Sequence, residues 1–551
     1  MSDEGRVTRD ELPEARSEGA ARRASVLQTP RIGIEILGTA SARQTPYGAK
    51  LVTVALAAFF LVSFARLHAA DEIFDFETLR FRAKMLAAKP YVARPSTVPA
   101  ALRKLSYDDY RLIKFVPAQA HWRNDGLPYQ LQFFHPGFVH KRAVQINEVD
   151  GRTAVPIKFS RAMFDYSGVK VDGGVPDSAG FAGFRVLGSL GIEDRPWDEI
   201  VSFVGASYFR ALCAKAVYGL SARGIAINTA DAGGEEFPNF EEFWIERPAA
   251  GAKQFTIYAL LDGPSVAGAY RLRVSPGAET VMLVKAAVYA RQNPHVFGIA
   301  PLTSMFWHGE NSSEATNDLR PEVHDSDGLM INNGAGEWLW RPLTDPKTVR
   351  VAAFGDDNPR GFGLVQRDRN FENYQDLETH YHLRPSAWIE PIGAWGRGSV
   401  RLVEIPTPGE TNDNIVAFWS PDTLPAPGEA VEFEYRLHWY LDQIGPPAGR
   451  TVGTRHGRSQ TQEPDLERFT VDFGGTYLEK QKPDPLIECD VSVGAGAKLT
   501  YQNVQKNTFN GTWRVSFGIR PDGSGHPVEL RCFLKKPPHV LTETWTYLWQ
   551  P

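Results

Sequence analysis

Short runs of β-branched and aromatic residues, each closed by Gly, Pro, Asp or Asn, recur along this chain and restrict it to an antiparallel β architecture. The clearest are YQLQFF (129–134), FTIYALL (255–261), YRLRV (270–274) and VMLVKAAVY (281–289). No fixed-period repeat and no strand–helix alternation appears, so solenoid, Rossmann and TIM-barrel folds are excluded. One helix is expected, over 74–90, with Phe76, Leu79, Phe81 and Met85 as its apolar positions and Pro90 as its stop. At 551 residues the chain exceeds one ordinary core and calls for at least two domains. The Pro-rich stretch SPDTLPAPG (420–428) is the natural break. It separates a body over 71–420, read as a large antiparallel β-sandwich, from a unit over 429–551. That unit opens with the alternating VEFEYRLHWY (431–440) and closes with TWTYLW (544–549). Its length and strand density predict an immunoglobulin-like sandwich. The fold class is therefore all-β.

Residues 1–70 are set apart as a polar, Arg-rich extension followed by an export segment. The apolar run of about 15 residues from Leu51 is short for a spanning helix and suits a signal-peptide core, with Ala69-Ala70 before Asp71 as cleavage site. The long polar stretch before it departs from the usual pattern, and an uncleaved anchor is the alternative reading. A net charge of -5 gives no bulk attraction for nucleic acid. Three cysteines are too few for a disulfide framework. Cys489 and Cys532 pair in one reading and are buried thiols in the other. No C-x-x-C, H-E-x-x-H or Cys/His cluster is present, so neither a metal nor a cofactor is expected.

Two acidic turns carry the chemistry. Glu410, Asn412, Asp413 and Asn414 stand directly before the apolar run IVAFW (415–419), which reads as a buried strand with the polar cluster at its mouth. HDSDG (324–328) lies about 90 residues earlier and also borders a turn. Solvated turns are the plain reading of both. In an aromatic-rich β protein they also suit a sugar-processing cleft. Glycoside cleavage needs a protonated carboxyl at the leaving oxygen and a second carboxylate that activates water. Asp413 is the candidate acid, with Glu410 as the neighbouring charge that raises it, and Asp325 the candidate base. The segment 381–391 brings Tyr381, Arg384 and Trp388 together as substrate-binding candidates. Tyr381 and Trp388 could stack on sugar rings, although a core position suits Trp388 equally. Arg210 and Arg223 are candidate donors to hydroxyls or a carboxylate. GLSAR (219–223) nearly matches a serine nucleophile elbow, but Arg223 stands where the second Gly belongs.

Taken in order, FAGFR (181–185), ASYFRA (206–211), YGLSARGIAI (218–227), GIAPLTSMF (298–306), PEVHDSDGL (321–329), NPRGFGLVQRDR (358–369), RPSAWIEP (384–391) and NDNIVAFW (412–419) resemble the osmoregulated periplasmic glucan biosynthesis proteins G and D. The likeness runs from about Phe74 to the end and stands nearer the G branch. It implies a large β-sandwich with a cleft, joined to an immunoglobulin-like domain. It implies a periplasmic role with β-1,2-glucan as partner, either as an inverting hydrolase or as a transglycosylase. A non-catalytic scaffold working with the inner-membrane glucan glucosyltransferase is the competing role. Carried over by position, the resemblance assigns the general acid to Asp413. It assigns the base to Asp325, acting through a water and hydroxyl relay, and places Glu410 and Tyr381 on the cleft wall.

Overall fold

In the computed structural model, which describes residues 74–551 apart from 172, 313–316, 459–462 and 464, the patterned runs are strands. Tyr129–Phe134, Phe255–Asp262, Val266–Ser275, Thr280–Ala290, Ile415–Pro421 and Thr544–Trp549 all stand where alternation or apolar continuity places them. They belong to two extended sheets. A ten-stranded sheet runs from Tyr129–Phe134 through Ser221–Arg223, Phe297–Ser304 and Ile415–Pro421 to Arg350–Asp357. A fifteen-stranded sheet runs from Thr153–Pro156 through Thr280–Ala290 and Ser386–Ile392 to Glu488–Val493. A four-stranded sheet, Arg450–Arg458, Glu467–Gly474, Trp513–Pro521 and Ala497–Lys506, completes the C-terminal part.

The long sheet serves two cores, because successive residues of a strand point to opposite faces. Leu329 and Ile331 enter the core shared with the ten-stranded sheet, while Met330 between them enters the C-terminal core. Leu339 and Trp340, Leu364 and Val365, and Ala387 and Trp388 divide in the same way. The four-stranded sheet packs on that second face through Phe469, Val471, Val515 and Phe517, against Leu530, Cys532 and Trp545. Four strands facing the three strands Glu488–Val493, Val528–Lys536 and Thr544–Trp549 give the four-plus-three layering of an immunoglobulin-like sandwich. All three cysteines are buried and free.

Phe255–Asp262 is buried at every position, and the helix explains why. Ile257, Ala259 and Leu261 face the ten-stranded sheet, whereas Tyr258 and Leu260 lie under helix Phe76–Ala87. Asp75 caps that helix by accepting the Thr78 amide at 2.8 Å. Its buried face is Phe76, Leu79 and Ala83; the expected Phe81 and Met85 are exposed. The interior stripe thus follows i, i+3, i+7, with Ala83 buried in place of the expected Phe81 and Met85. A second difference concerns Ala430–Tyr440. Expected to open the C-terminal unit, it is paired between Thr280–Ala290 and Ser386–Ile392, in the middle of the long sheet. Its alternation fits a strand in either place, so periodicity alone could not assign it. The polar extension and export segment lie outside the described residues. Among the described residues no helix is long and apolar enough to cross a membrane.

A buried ion pair helps to tie the two sandwiches. Both terminal nitrogens of Arg367 fork onto Glu543, at 2.5 and 2.9 Å, and its guanidinium stacks 3.6 Å from the Trp340 ring centroid. The Glu543 side chain is fully buried and also accepts the Thr451 amide at 2.8 Å. Arg367→Ala strands that carboxylate away from water. It is expected to lower unfolding free energy by about 3–5 kcal/mol in denaturant titration, with Glu543→Gln costing less.

Candidate active site

Asp325 and Asp413, 88 positions apart in the sequence, are anchored to consecutive residues of one backbone segment. Asp325 follows the short strand Val323–His324, which pairs with Phe306–His308, and its own amide donates to the Met305 carbonyl at 2.8 Å. Asp413 precedes Ile415–Pro421. Its neighbour Asn414, fully buried, accepts the Phe306 amide at 2.9 Å and donates to the Phe306 and Ile405 carbonyls at 2.9 and 3.0 Å. The side-chain amide of Asn414 thereby replaces missing sheet partners, because buried backbone groups must be hydrogen-bonded. Met305 and Phe306 follow directly on strand Phe297–Ser304, which pairs with Ile415–Pro421, so the sheet delivers both acidic turns to one place.

Asp413 senses the charge of Asp325. Asp413 is pushed up to about 6: burial is the main cause, Arg210, Arg223 and Arg384 oppose it, and the Asp325 charge adds to it. The residue keeps partial exposure, yet its Oδ2 is shut off from solvent with no hydrogen-bond partner among the described residues. The carboxylate that raises Asp413 is thus Asp325, rather than the Glu410 expected from spacing. Glu410 is occupied elsewhere: Arg320 donates to it at 2.7 Å and the Tyr381 hydroxyl also donates to it. Arg320 further binds Asp318 and Asp376, at 2.8 and 2.9 Å. Arg384 stands between the groups. Its Nε lies 3.6 Å from Asp325 Oδ1, its Nη1 donates to the Tyr218 carbonyl, and its guanidinium covers the Tyr381 ring at 5.0 Å.

The remaining candidates divide. Arg210 donates through Nε to Ser221 at 2.7 Å, and Ser221 is a buried strand residue with no nucleophile elbow around it. Arg223 is buried, donating to Thr303 at 2.8 Å and Glu235 at 2.5 Å, with Tyr208 and Phe237 flanking its guanidinium at 4.8 and 5.5 Å. Both arginines therefore act on Asp413 as charges while bonding hydroxyls and a carboxylate of the protein. The Tyr381 ring is fully buried, so it offers no stacking face. Burial and the Asp325 charge hold its phenol well above the usual range. Trp388 lies in the C-terminal core, stacked on Trp338 at 5.5 Å, away from this cluster.

Sequence reasoning missed Arg320 and Gln366, and placed Asn414 in the polar cluster without its role as a backbone partner. Gln366 is buried, and its amide nitrogen donates to the His324 carbonyl at 3.1 Å, the Tyr374 hydroxyl at 2.9 Å and the Tyr381 carbonyl at 3.2 Å. It thus joins the Asp325 turn to the Tyr381 turn. The only available signal was its place inside NPRGFGLVQRDR, which does not disclose a polar core residue.

A buried acid that holds its proton makes the native state sensitive to alkali. The folded Asp413 carboxyl titrates near 6 and the unfolded one near 3.8. The native protein therefore loses stability as pH rises from about 4 to 6, because folding then carries the cost of a buried charge. Asp413→Asn should gain on the order of 1–3 kcal/mol at pH 7 and almost nothing at pH 4, as read from denaturation midpoints at both pH values.

Comparison with known proteins places this cluster in context. The model of the family described as "Periplasmic glucan biosynthesis protein, MdoG" matches residues 74–549. A Ralstonia nicotianae protein named glucans biosynthesis protein G is 48% identical over 487 residues, covering 87% of this chain and 96% of that relative. Proteins of the same name from Pseudomonas paraeruginosa and Pseudomonas aeruginosa are each 43% identical over 521 residues, covering 92% of this chain and 98% of the relative. With the resemblance in the motifs and the sandwich architecture, this identity over nearly the full described length makes the chain a member of the MdoG family of periplasmic glucan biosynthesis proteins.

Proposed function

We propose that the protein is an exported enzyme of osmoregulated periplasmic glucan biosynthesis that hydrolyses β-1,2-glucan internally with inversion. The observation that carries this reading is the pairing of Asp413, whose carboxyl is pushed up to about 6, with Asp325 on turns anchored to adjacent backbone residues, Met305 and Phe306. Inverting hydrolysis needs that inequality: one carboxyl must arrive protonated and the other must accept a proton. Asp413 protonates the departing glycosidic oxygen. Asp325 takes a proton from water on the opposite face of the sugar, directly or through intervening hydroxyls. Arg384, beside Asp325 and within range of Asp413, limits the repulsion as Asp413 becomes charged. Tyr381, Glu410 and Arg320 form a rigid wall behind the base and position the turn that bears Arg384.

The decisive experiment sizes the products formed when purified protein is incubated with linear β-1,2-glucan. Shorter chains whose new reducing ends carry the inverted anomer are expected. Rings or new linkages would indicate a transglycosylase, and unchanged chains a non-catalytic scaffold serving the membrane glucosyltransferase. Asp413→Asn and Asp325→Asn should each lower turnover by about 10²–10⁴-fold, the range for a lost acid or base, without loss of fold by circular dichroism. Because the acid must carry its proton, turnover by the native enzyme should fall as pH rises through about 6. Undiminished turnover by Asp413→Asn would remove the assignment.

A further inference from the structure

Behind the Asp325 turn lies a second constellation that the proposed hydrolysis does not use. Among the described residues, one group of side chains has metal-ligand chemistry and spacing: Glu322, His324 and Asp327, whose ligand atoms all lie within 4.8 Å of one another. His324 is fully buried, stacked on Phe306 at 5.2 Å. Its ring orientation follows from its neighbours. Three oxygens already surround the Gln366 nitrogen and satisfy both of its hydrogens, so the Gln366 oxygen is the atom facing His324 Nδ1, at 3.0 Å, and Nδ1 carries the hydrogen. Nε2 is thereby left facing Glu322 Oε2 at 2.9 Å and Asp327 Oδ1 at 3.5 Å.

Two of the three residues, His324 and Asp327, have the supporting contacts that a metal-ligating set requires. A ligating histidine donates its other ring N–H to a fixed acceptor, and ligating carboxylates are themselves held by hydrogen bonds. Asp327 Oδ2 accepts the amides of Arg367 and Asp368, the latter at 2.7 Å, which leaves Oδ1 turned to the histidine. The three residues border a cavity of about 220 Å³ that Asp368 and Thr451 also line, large enough for further water ligands. Thr451 is 3% exposed, and its hydroxyl has no hydrogen-bond partner among the described residues. Two of the three arginines on the same wall, Arg367, Arg450 and Arg455, are committed elsewhere: Arg367 to Glu543, and Arg455 to Glu310 and Asp472.

We propose that Glu322, His324 and Asp327 form a binding site for one divalent transition-metal cation. One imidazole and two carboxylates select Zn²⁺ or Mn²⁺ over Mg²⁺ and Ca²⁺, which prefer all-oxygen shells. Binding forms one Nε2–metal and two oxygen–metal bonds. Any proton resident on Nε2 is released to solvent as they form. The cation would brace the turn that carries Asp325 from its inner side.

The test is calorimetric titration of the chelator-treated full chain with ZnCl2 and, separately, MnCl2. Saturable one-to-one binding of at least one ion is expected, weakened on the order of 10–100-fold in both Glu322→Gln and Asp327→Asn. Crystals of the native protein soaked in the same ion should show an anomalous peak within bonding distance of His324 Nε2, a readout that needs no variant to fold. Absence of saturable binding, binding unchanged in both variants, or a peak elsewhere would overturn the site. None of these measurements depends on glucan turnover, so a failure here is separable from a failure of the hydrolase reading.

Discussion

Two-sided burial of the long sheet is the constraint on which the rest of this molecule depends. A sheet with one wet face needs only alternation. Strands such as Gly328–Asn332 and Ser386–Ile392 instead present apolar side chains to a different core on each face. Register is then specified twice over, because a one-residue slip would exchange the occupants of both cores at once. That rigidity reaches the acidic turns. Asp327 immediately precedes Gly328–Asn332, Asp325 lies two residues before Asp327, and Gln366 follows Gly361–Val365, so the groups around the candidate site continue from strands of fixed register.

The electrostatics of the site follow from the same burial. Three guanidinium groups act on Asp413, and in water such neighbours would leave the carboxyl ionised. Desolvation outweighs them because each cation is already engaged: Arg210 with Ser221, Arg223 with Thr303 and Glu235, Arg384 with the Tyr218 carbonyl. The result is an acid that holds its proton up to about pH 6 in cationic surroundings. A stabiliser for the charge it develops is already in position.

Much of this was legible in the residues, and the failures are instructive. Strand existence was readable because Tyr129–Phe134 and Thr544–Trp549 combine β-branched or aromatic content with clear boundaries. Strand membership was not, as Ala430–Tyr440 demonstrates: its partners lie some 50 and 150 positions away, and local pattern carries no record of them. Asp325 and Asp413 were recognisable as candidates through their motifs, whereas the partner of Glu410 was not. Arg320 reaches it across 90 positions of sequence. Trp388 shows the ambiguity of an aromatic on a strand, since the same side chain serves a sugar platform or a second core. The Glu322–His324–Asp327 spacing was also present in the sequence. Only the fixed orientation of Gln366 turns those three residues into a directed set.

The placement of Ala430–Tyr440 carries a consequence for how such a protein can be divided or inherited. The proline-rich connection before it looks like a seam, but cutting there removes the plank that joins Thr280–Ala290 to Ser386–Ile392. Two raw edges of unpaired amides would be left in the middle of a wide sheet, templates for indiscriminate strand addition. Recombination that trades the carboxyl-terminal sandwich between relatives must therefore carry this strand in matching register. The visible join in the chain is not a join in the architecture.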